Sequence, residues 1–245
     1  MATPSDESRP RRSNVEVRLG RYFGLLGVGA EAAAALAAGS YLHRTPVGRV
    51  RYSGRHSYVD IIMSGVVLEE QRLWAGEYWV GDLDIFREPT QGYQRTVVDF
   101  LSSAWVIRIS REVLRSWAVR DLTVQRMLYH VQTGRQDVMN IVYGLDQRST
   151  LARVAQLLDY LGHTPHLLDE VGLLPRGGAV IHGPTQKHLA DTLGLSLASV
   201  EKSMNLLRKH EILASAGGGR AHRTYRIEKP QLLGAVADGH LPTAA

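Results

Sequence analysis

The polar and apolar positions change their rhythm three times along the chain. Residues 15–40 read as one or two short helices, and the stretch Gly24 to Ala38 is Ala-rich, interrupted by Glu31, and of the length of a small buried helix. From Thr45 onward, runs of four to six β-forming residues are bounded by glycine, which predicts a β-sandwich or barrel. The segment RTVVDFLSSAWVIRIS continues the pattern, with Ser102-Ser103 as a turn. At Arg111 the period becomes helical. Leu114, Trp117, Leu122, Met127, Leu128, Val131, Val138, Ile141, Val142 and Leu145 recur at roughly helical spacing. A helix this long cannot bury its stripe in a small domain, so packing against a second copy is expected. The alternative is a bent pair of core helices, with Gly134 and Gly144 permitting the bend. Residues 163–183 read as a loop and a short strand leading into the last domain.

The sharpest local signal is TQKHLADTLGLSLASVEKSMNLL, residues 185–207. A first helix spans Gln186 to Leu193, capped by Thr185 and burying Leu189, Ala190 and Leu193. Gly194 supplies the positive φ of a tight turn. Ser196 caps a second helix whose inner face carries Val200, Met204 and Leu207. The segment EILASAGGGRAHRTYRI then reads as a hairpin turning at Ala216 to Gly219, with Arg220, His222, Arg223 and Arg226 on a basic returning arm. A helix-turn-helix followed by a basic wing is an arrangement for double-stranded DNA. Thr185, Gln186 and Lys187 are placed to anchor the first helix on the backbone. Ser196, Leu197, Ala198, Ser199, Lys202 and Ser203 lie near the exposed start of the second helix, with Lys202 the foremost base or phosphate contact. Arg220 and Arg223 are the wing's phosphate contacts. The competing reading is a helical hairpin of a protein-binding module; turn glycine, cap and wing together favour DNA.

Composition narrows the chemistry. The 245 residues carry a net charge of +5, a mild bias toward phosphate-rich partners. There is no cysteine, which excludes disulfides, thiolate nucleophiles, Cys-ligated zinc and Cys-held iron–sulfur clusters. The start, MATPSDESRPRRSN, reads as a disordered, solubilising tail over residues 1–14, with no apolar segment resembling a secretory signal. No run is long and apolar enough to span a bilayer, so a cytoplasmic protein without a membrane partner is expected. HLLDE and LRKHE lack paired metal-ligand spacing, and GGGR opens no helix and is no P-loop. No catalytic constellation emerges, so an enzyme is not expected.

With these elements in order, the chain resembles the Crp/Fnr family of bacterial transcription regulators over roughly residues 20–233. The resemblance implies an α+β fold: a jelly-roll-like sensor domain over 15–118, a dimerisation helix over 119–146, a winged helix-turn-helix domain over 147–235, and a tail over 236–245. The segment GDLDIFREPTQGYQRT, residues 81–96, resembles the family's phosphate-binding cassette. By that likeness Gly81 and Leu83 offer backbone amides, Asp82 accepts from a ribose hydroxyl, Arg95 pairs with a cyclic phosphate and Thr96 hydrogen-bonds it. Several residues depart from the pattern. Asp82 is one methylene shorter than the usual Glu, the following loop is longer and contains Asp84, and the hairpin around LEEQRLWA is short. The helix near Thr133, Gly134 and Arg135 lacks paired hydroxyls, and Leu197-Ala198 replaces Arg-Glu. A cyclic nucleotide and a different or absent ligand both remain open, as does haem held by His43, His56 or His130. The implied function is a homodimeric DNA-binding regulator gated by a small ligand, or a constitutive one with a ligand-free sensor. RNA polymerase is a further candidate partner.

Overall fold

The computed structural model describes residues 14–52, 58–81, 96–144, 148–163, 170–173, 180–214 and 223–240. Two short helices open the chain, α1 (Asn14–Leu25) and α2 (Ala30–Ala38). On α1, Leu19, Tyr22 and Phe23 share one buried face, the i, i+3, i+4 spacing of an amphipathic helix.

Eight strands follow: β1 (Ser40–Thr45), β2 (Gly48–Tyr52), β3 (Tyr58–Ile62), β4 (Val66–Glu69), β5 (Arg72–Ala75), β6 (Tyr78–Gly81), β7 (Thr96–Phe100) and β8 (Ala104–Ser110). They form two antiparallel four-stranded sheets, ordered β1-β8-β3-β6 and β2-β7-β4-β5, which is the expected β-roll. Side chains alternate across each strand. On β3, β6 and β8 one set (Ile62, Tyr78, Val80, Val106) packs inside the roll. The other set (Val59, Ile61, Trp79, Ile107, Ile109) meets the helices outside. Both faces of this sheet are therefore buried, which explains its near-continuous hydrophobic sequence. The Ser102-Ser103 turn forms between β7 and β8, and Ser102 Oγ accepts from the Val66 N–H at 2.9 Å. The β4–β5 hairpin is as short as its sequence indicated, closing on Glu70 and Gln71 at φ 47° and 64°.

The run from Arg111 is two helices rather than one, α3 (Arg111–Arg120) and α4 (Leu122–Val138). Asp121 breaks it: its backbone is extended, and its carboxylate caps α4 by accepting from the Thr123 N–H at 2.7 Å. Gly134 does not bend the helix. The chain instead widens into a π-helical turn, Met139–Tyr143, and leaves the helix at Gly144. The apolar stripe also divides differently from expectation. Leu114, Met127 and Leu128 belong to the protomer's own core, as does Val142. Leu122, Tyr129 and Ile141 stay exposed, together with Val119.

The C-terminal part comprises α5 (Thr150–Gly162), β9 (Val180–His182), α6 (Gln186–Leu193), α7 (Leu197–Lys209), β10 (Thr224–Arg226) and α8 (Pro230–Ala237). The two arms of the wing pair antiparallel as read, and the wing gains a further strand that the sequence reading did not include. Its returning arm, β10, pairs antiparallel with β9. Among the described residues, the outgoing arm meets it through the Leu213–Ile227 bridge, a bond from the Ala214 N–H to the Arg226 carbonyl and one from the Glu228 N–H to the Ile212 carbonyl. The expected turn, with Arg220 and His222, and the tail of residues 1–13 lie outside the described residues.

Candidate nucleic-acid interface and sensor cavity

Short-range hydrogen bonds build the helix-turn-helix. Thr185 Oγ accepts from the His188 N–H, and His188 Nδ1 accepts from the Thr185 N–H, a reciprocal capping box. The His188 imidazole is held below its ordinary pKa by burial and then by the nearby Arg223 guanidinium, which suits it as an acceptor. Gly194 turns the chain at φ 63°, and Ser196 Oγ accepts from the Ser199 N–H at 3.1 Å to start α7. Leu189, Ala190, Leu193, Val200, Met204 and Leu207 interlock beneath.

What remains outward on α7 is Leu197, Ala198, Glu201, Lys202, Asn205 and Lys209, a continuous stripe at helical spacing. Lys187 on α6 and Arg223 beside β10 are exposed as expected, Gln186 is half-buried, and Thr185 and Ser199 are half-buried in the caps. Ser203 is a correction. It is 5% exposed, and its hydroxyl donates to the Ser199 carbonyl at 3.0 Å, so it faces the core and cannot touch DNA. Glu201 and Asn205 were missed, although their three- and seven-residue spacing from Ala198 places them on the same face. Both can read base edges, Asn from adenine and Glu from cytosine.

Inside the roll are two buried ionic clusters. Asp60 is fully buried and receives two bonds from Arg108, both 2.7 Å, and one from Tyr52 Oη at 2.8 Å. Glu69 accepts from Tyr78 Oη and, at 3.1 Å, from Arg135 of α4. Burial raises the pKa of Glu69, and these two partners pull it back. The Arg135 guanidinium also lies 5.3 Å over both Trp74 and Tyr78, whose rings stack at 4.2 Å. The neighbouring Thr133 hydroxyl bonds carbonyls of its own helix. Of the cassette residues, Gly81 ends β6 at φ 114°, where a Cβ would stand 3.2 Å from the Tyr58 carbonyl, and Thr96 opens β7 half-buried. Asp82, Leu83 and Arg95 lie outside the described residues. Of the histidines considered for haem, His43 is half-buried, His130 is exposed, and His56 lies outside the described residues.

Next to Arg135, a cavity of about 240 Å³ opens between α1, the β5–β6 turn and α4. Glu77 in its wall is pushed up to about 7 by burial. The raised value reverses the usual carboxylate sign. The unfolded chain ionises this group first, so the folded state loses stability as pH rises from about 4.5 through about 7. Glu77→Gln is expected to remove that component and to be the more stable form at pH 8. Urea unfolding of both proteins at pH 5 and pH 8 checks this; identical pH dependences would refute it.

The C-terminal part docks on the small hairpin of the roll. Arg72 donates to the Thr192 carbonyl at 2.5 Å, and the Thr192 hydroxyl donates to the Gln71 carbonyl at 2.9 Å. Tyr143 donates to the Leu73 carbonyl at 2.5 Å, and Tyr160 Oη bonds both the N–H and the carbonyl of Ala75. The end of α6 is thereby tied to the strand that carries Trp74.

No protein-family model and no curated protein matches this sequence. Solved structures match it along nearly its whole length. A candidate cAMP-binding regulatory protein from Silicibacter pomeroyi shares 14% identity at a TM-score of 0.61, over 93% of this chain and 100% of that one. FixK2 from Bradyrhizobium japonicum shares 19% identity at 0.52, over 84% and 99%. A CRP-family transcriptional regulator from Thermus thermophilus shares 16% at 0.53, over 82% and 100%. The chain thus has the fold of the Crp/Fnr regulators: an α+β architecture of β-roll, connecting helices and winged helix-turn-helix.

Proposed function

We propose that this chain is a sequence-specific DNA-binding transcription regulator of the Crp/Fnr type, acting as a homodimer. The observation that carries the reading is the capped α6–Gly194–α7 unit, which leaves Ala198, Glu201, Lys202 and Asn205 in one outward row. Such a row fits the major groove, with Lys187, Arg223 and the wing on phosphates. Val119, Leu122 and Tyr129 on α3 and α4 supply exposed apolar surface for a second copy. Pairing there would set two recognition helices about 34 Å apart on a palindromic site. No described helix is long and apolar enough to cross a membrane.

Selection of random duplexes by the full-length protein tests the reading. A palindrome with half-sites about one turn apart is the expected result, and a pool with no enriched motif would overturn it. Lys202→Ala should weaken binding to the selected site about 5–100-fold, the loss of one base or phosphate contact. Changing Arg220 and Arg223 together to Ala should lower the slope of log affinity against log salt by about one to two units. An unchanged slope would remove the wing from the interface.

The sensor domain is read as the gate, with a ligand near α4 shifting the helices that carry the DNA-binding part. A cyclic nucleotide at Gly81, Asp82, Leu83, Arg95 and Thr96 is one candidate. A constitutive regulator is the second reading, favoured by the Arg135–Glu69 pair, which already joins α4 to the roll. Binding to the selected site with and without cyclic AMP or cyclic GMP separates the two.

A further inference from the structure

Most polar side chains near the start of α7 are used within the helix itself. The Ser196 and Ser199 hydroxyls bond each other at 2.8 Å, and Ser196 Oγ also accepts from the Ser199 N–H. Ser203 donates back to the Ser199 carbonyl, and Asn205 Oδ1 accepts from Arg208 at 3.2 Å. Leu197 and Ala198 are exposed but apolar, and Ala198 is too short to hold the helix away from a groove floor. Glu201 and Lys202 follow, both exposed. No cation on its own helix accounts for Glu201. The residues three and four positions away are Leu197, Ala198, Met204 and Asn205, and Lys202, one position on, points to a different side.

The two side chains ask different things of DNA. Lys202 donates, and every nucleotide offers it phosphate oxygens, so it adds affinity with little choice of sequence. An ionised carboxylate only accepts, and phosphates repel it. In the major groove it finds two donors, the N4 amino group of cytosine and the N6 amino group of adenine. Guanine and thymine present acceptors there. The amino group of adenine is flanked by its own N7 and by thymine O4, both of which oppose a carboxylate. That of cytosine is flanked by an acceptor on one side only, guanine O6 of the same pair. Cytosine is therefore the base that answers a carboxylate best.

We infer that Glu201 is the specificity-determining residue of this interface: it accepts from N4 of one cytosine in each half-site and, by opposing their acceptor edges, excludes guanine and thymine. The inference rests on the DNA-binding reading above and assigns one base of the site to one residue. The same carboxylate lowers affinity for every duplex that lacks the cytosine, and discrimination is such a difference of affinities. Lys202, next in the chain, offsets part of the repulsion through its attraction to phosphate.

The test is selection of random duplexes by the full-length protein in parallel with its Glu201→Ala and Glu201→Gln variants. Glu201 is exposed, so both variants are expected to unfold within about 2 °C of the parent. The parent's motif is expected to hold one cytosine per half-site that Glu201→Ala no longer selects, with the other positions retained. Glu201→Gln should change that position to adenine, because an amide both donates to N7 and accepts from N6. Replacing the cytosine by thymine in one half-site should weaken binding by the parent about 5–150-fold, and by Glu201→Ala less than about 3-fold. A motif identical for the parent and Glu201→Ala, as a glutamate that only repels phosphates would give, overturns the proposal. So does a Glu201-dependent position at which the parent selects any base other than cytosine. Both of those results leave the DNA-binding reading standing, whereas a parent pool with no enriched motif overturns that reading and this one together.

Discussion

Replacing Arg108 by alanine is expected to cost about 3–5 kcal/mol of folding stability, more than any single surface contact here. The Asp60 carboxylate is fully buried and receives three hydrogen bonds, two of them from this guanidinium. Removing Arg108 leaves a charge inside the roll with only the Tyr52 hydroxyl to answer it. The guanidinium itself is partly exposed, its side chain retaining 27% of its surface, which favours the lower end of the range. The unfolding temperature should fall by roughly 6–20 °C. A double variant, Asp60→Leu with Arg108→Met, should recover much of the loss, because an apolar pair leaves no unpaired charge. Calorimetry of the two proteins decides the matter. If Arg108→Ala unfolds within about 2 °C of the parent, Asp60 does not depend on its partner as argued.

Gly183→Ala is expected to loosen the C-terminal part from the roll at a cost of about 2–6 kcal/mol, the sum of backbone strain and overpacking. Gly183 precedes α6, at φ 108°, and donates its N–H to the Arg223 carbonyl at 2.6 Å. A Cβ would overlap the Leu101 carbonyl oxygen and lie 2.8 Å from the Ser102 nitrogen. That backbone cannot retreat easily. Leu101 N–H donates to the Val66 carbonyl, and Ser102 Oγ accepts from the Val66 N–H, both at 2.9 Å. The strain should therefore be relieved by separation of the two parts. Hydrogen exchange should show lost protection at the Ala75 N–H, which donates across the contact to Tyr160 Oη, while Val66, Leu101 and the α6–α7 core, whose bonds do not cross it, keep theirs. Protection unchanged at Ala75 would show that the interface tolerates the methyl group, and the docking argument would fail.

The features that were legible in the sequence depend on residues within a few positions of one another. Thr185, Gly194 and Ser196 placed α6 and the start of α7 to the residue, because a cap or a left-handed turn is satisfied inside one helical turn. Ser102-Ser103 and the alternating strands were legible for the same reason. The break at Asp121 was legible in principle, since Asp-Leu-Thr is an N-cap sequence, but the apolar spacing that runs through it hid it. Ser203 was misplaced although its spacing, three residues after Val200 and four before Leu207, puts it on the buried face.

Nothing local says that Asp60 must meet Arg108, 48 positions away; antiparallel pairing of β3 with β8 sets them opposite each other. The same holds for Glu69 with Arg135, Arg72 with Thr192, and the cavity wall drawn from α1, the β5–β6 turn, α4 and α5. A sequence of this kind determines by itself where capped helices start, where strands turn and which helix face stays outward, because those are settled by short-range hydrogen bonding and periodicity. Only the tertiary structure decided which charges are buried together, which part of the apolar stripe stays free for a second copy, and where a ligand could sit. Those depend on packing between segments tens of residues apart, through the register of strands and the docking of one domain on another.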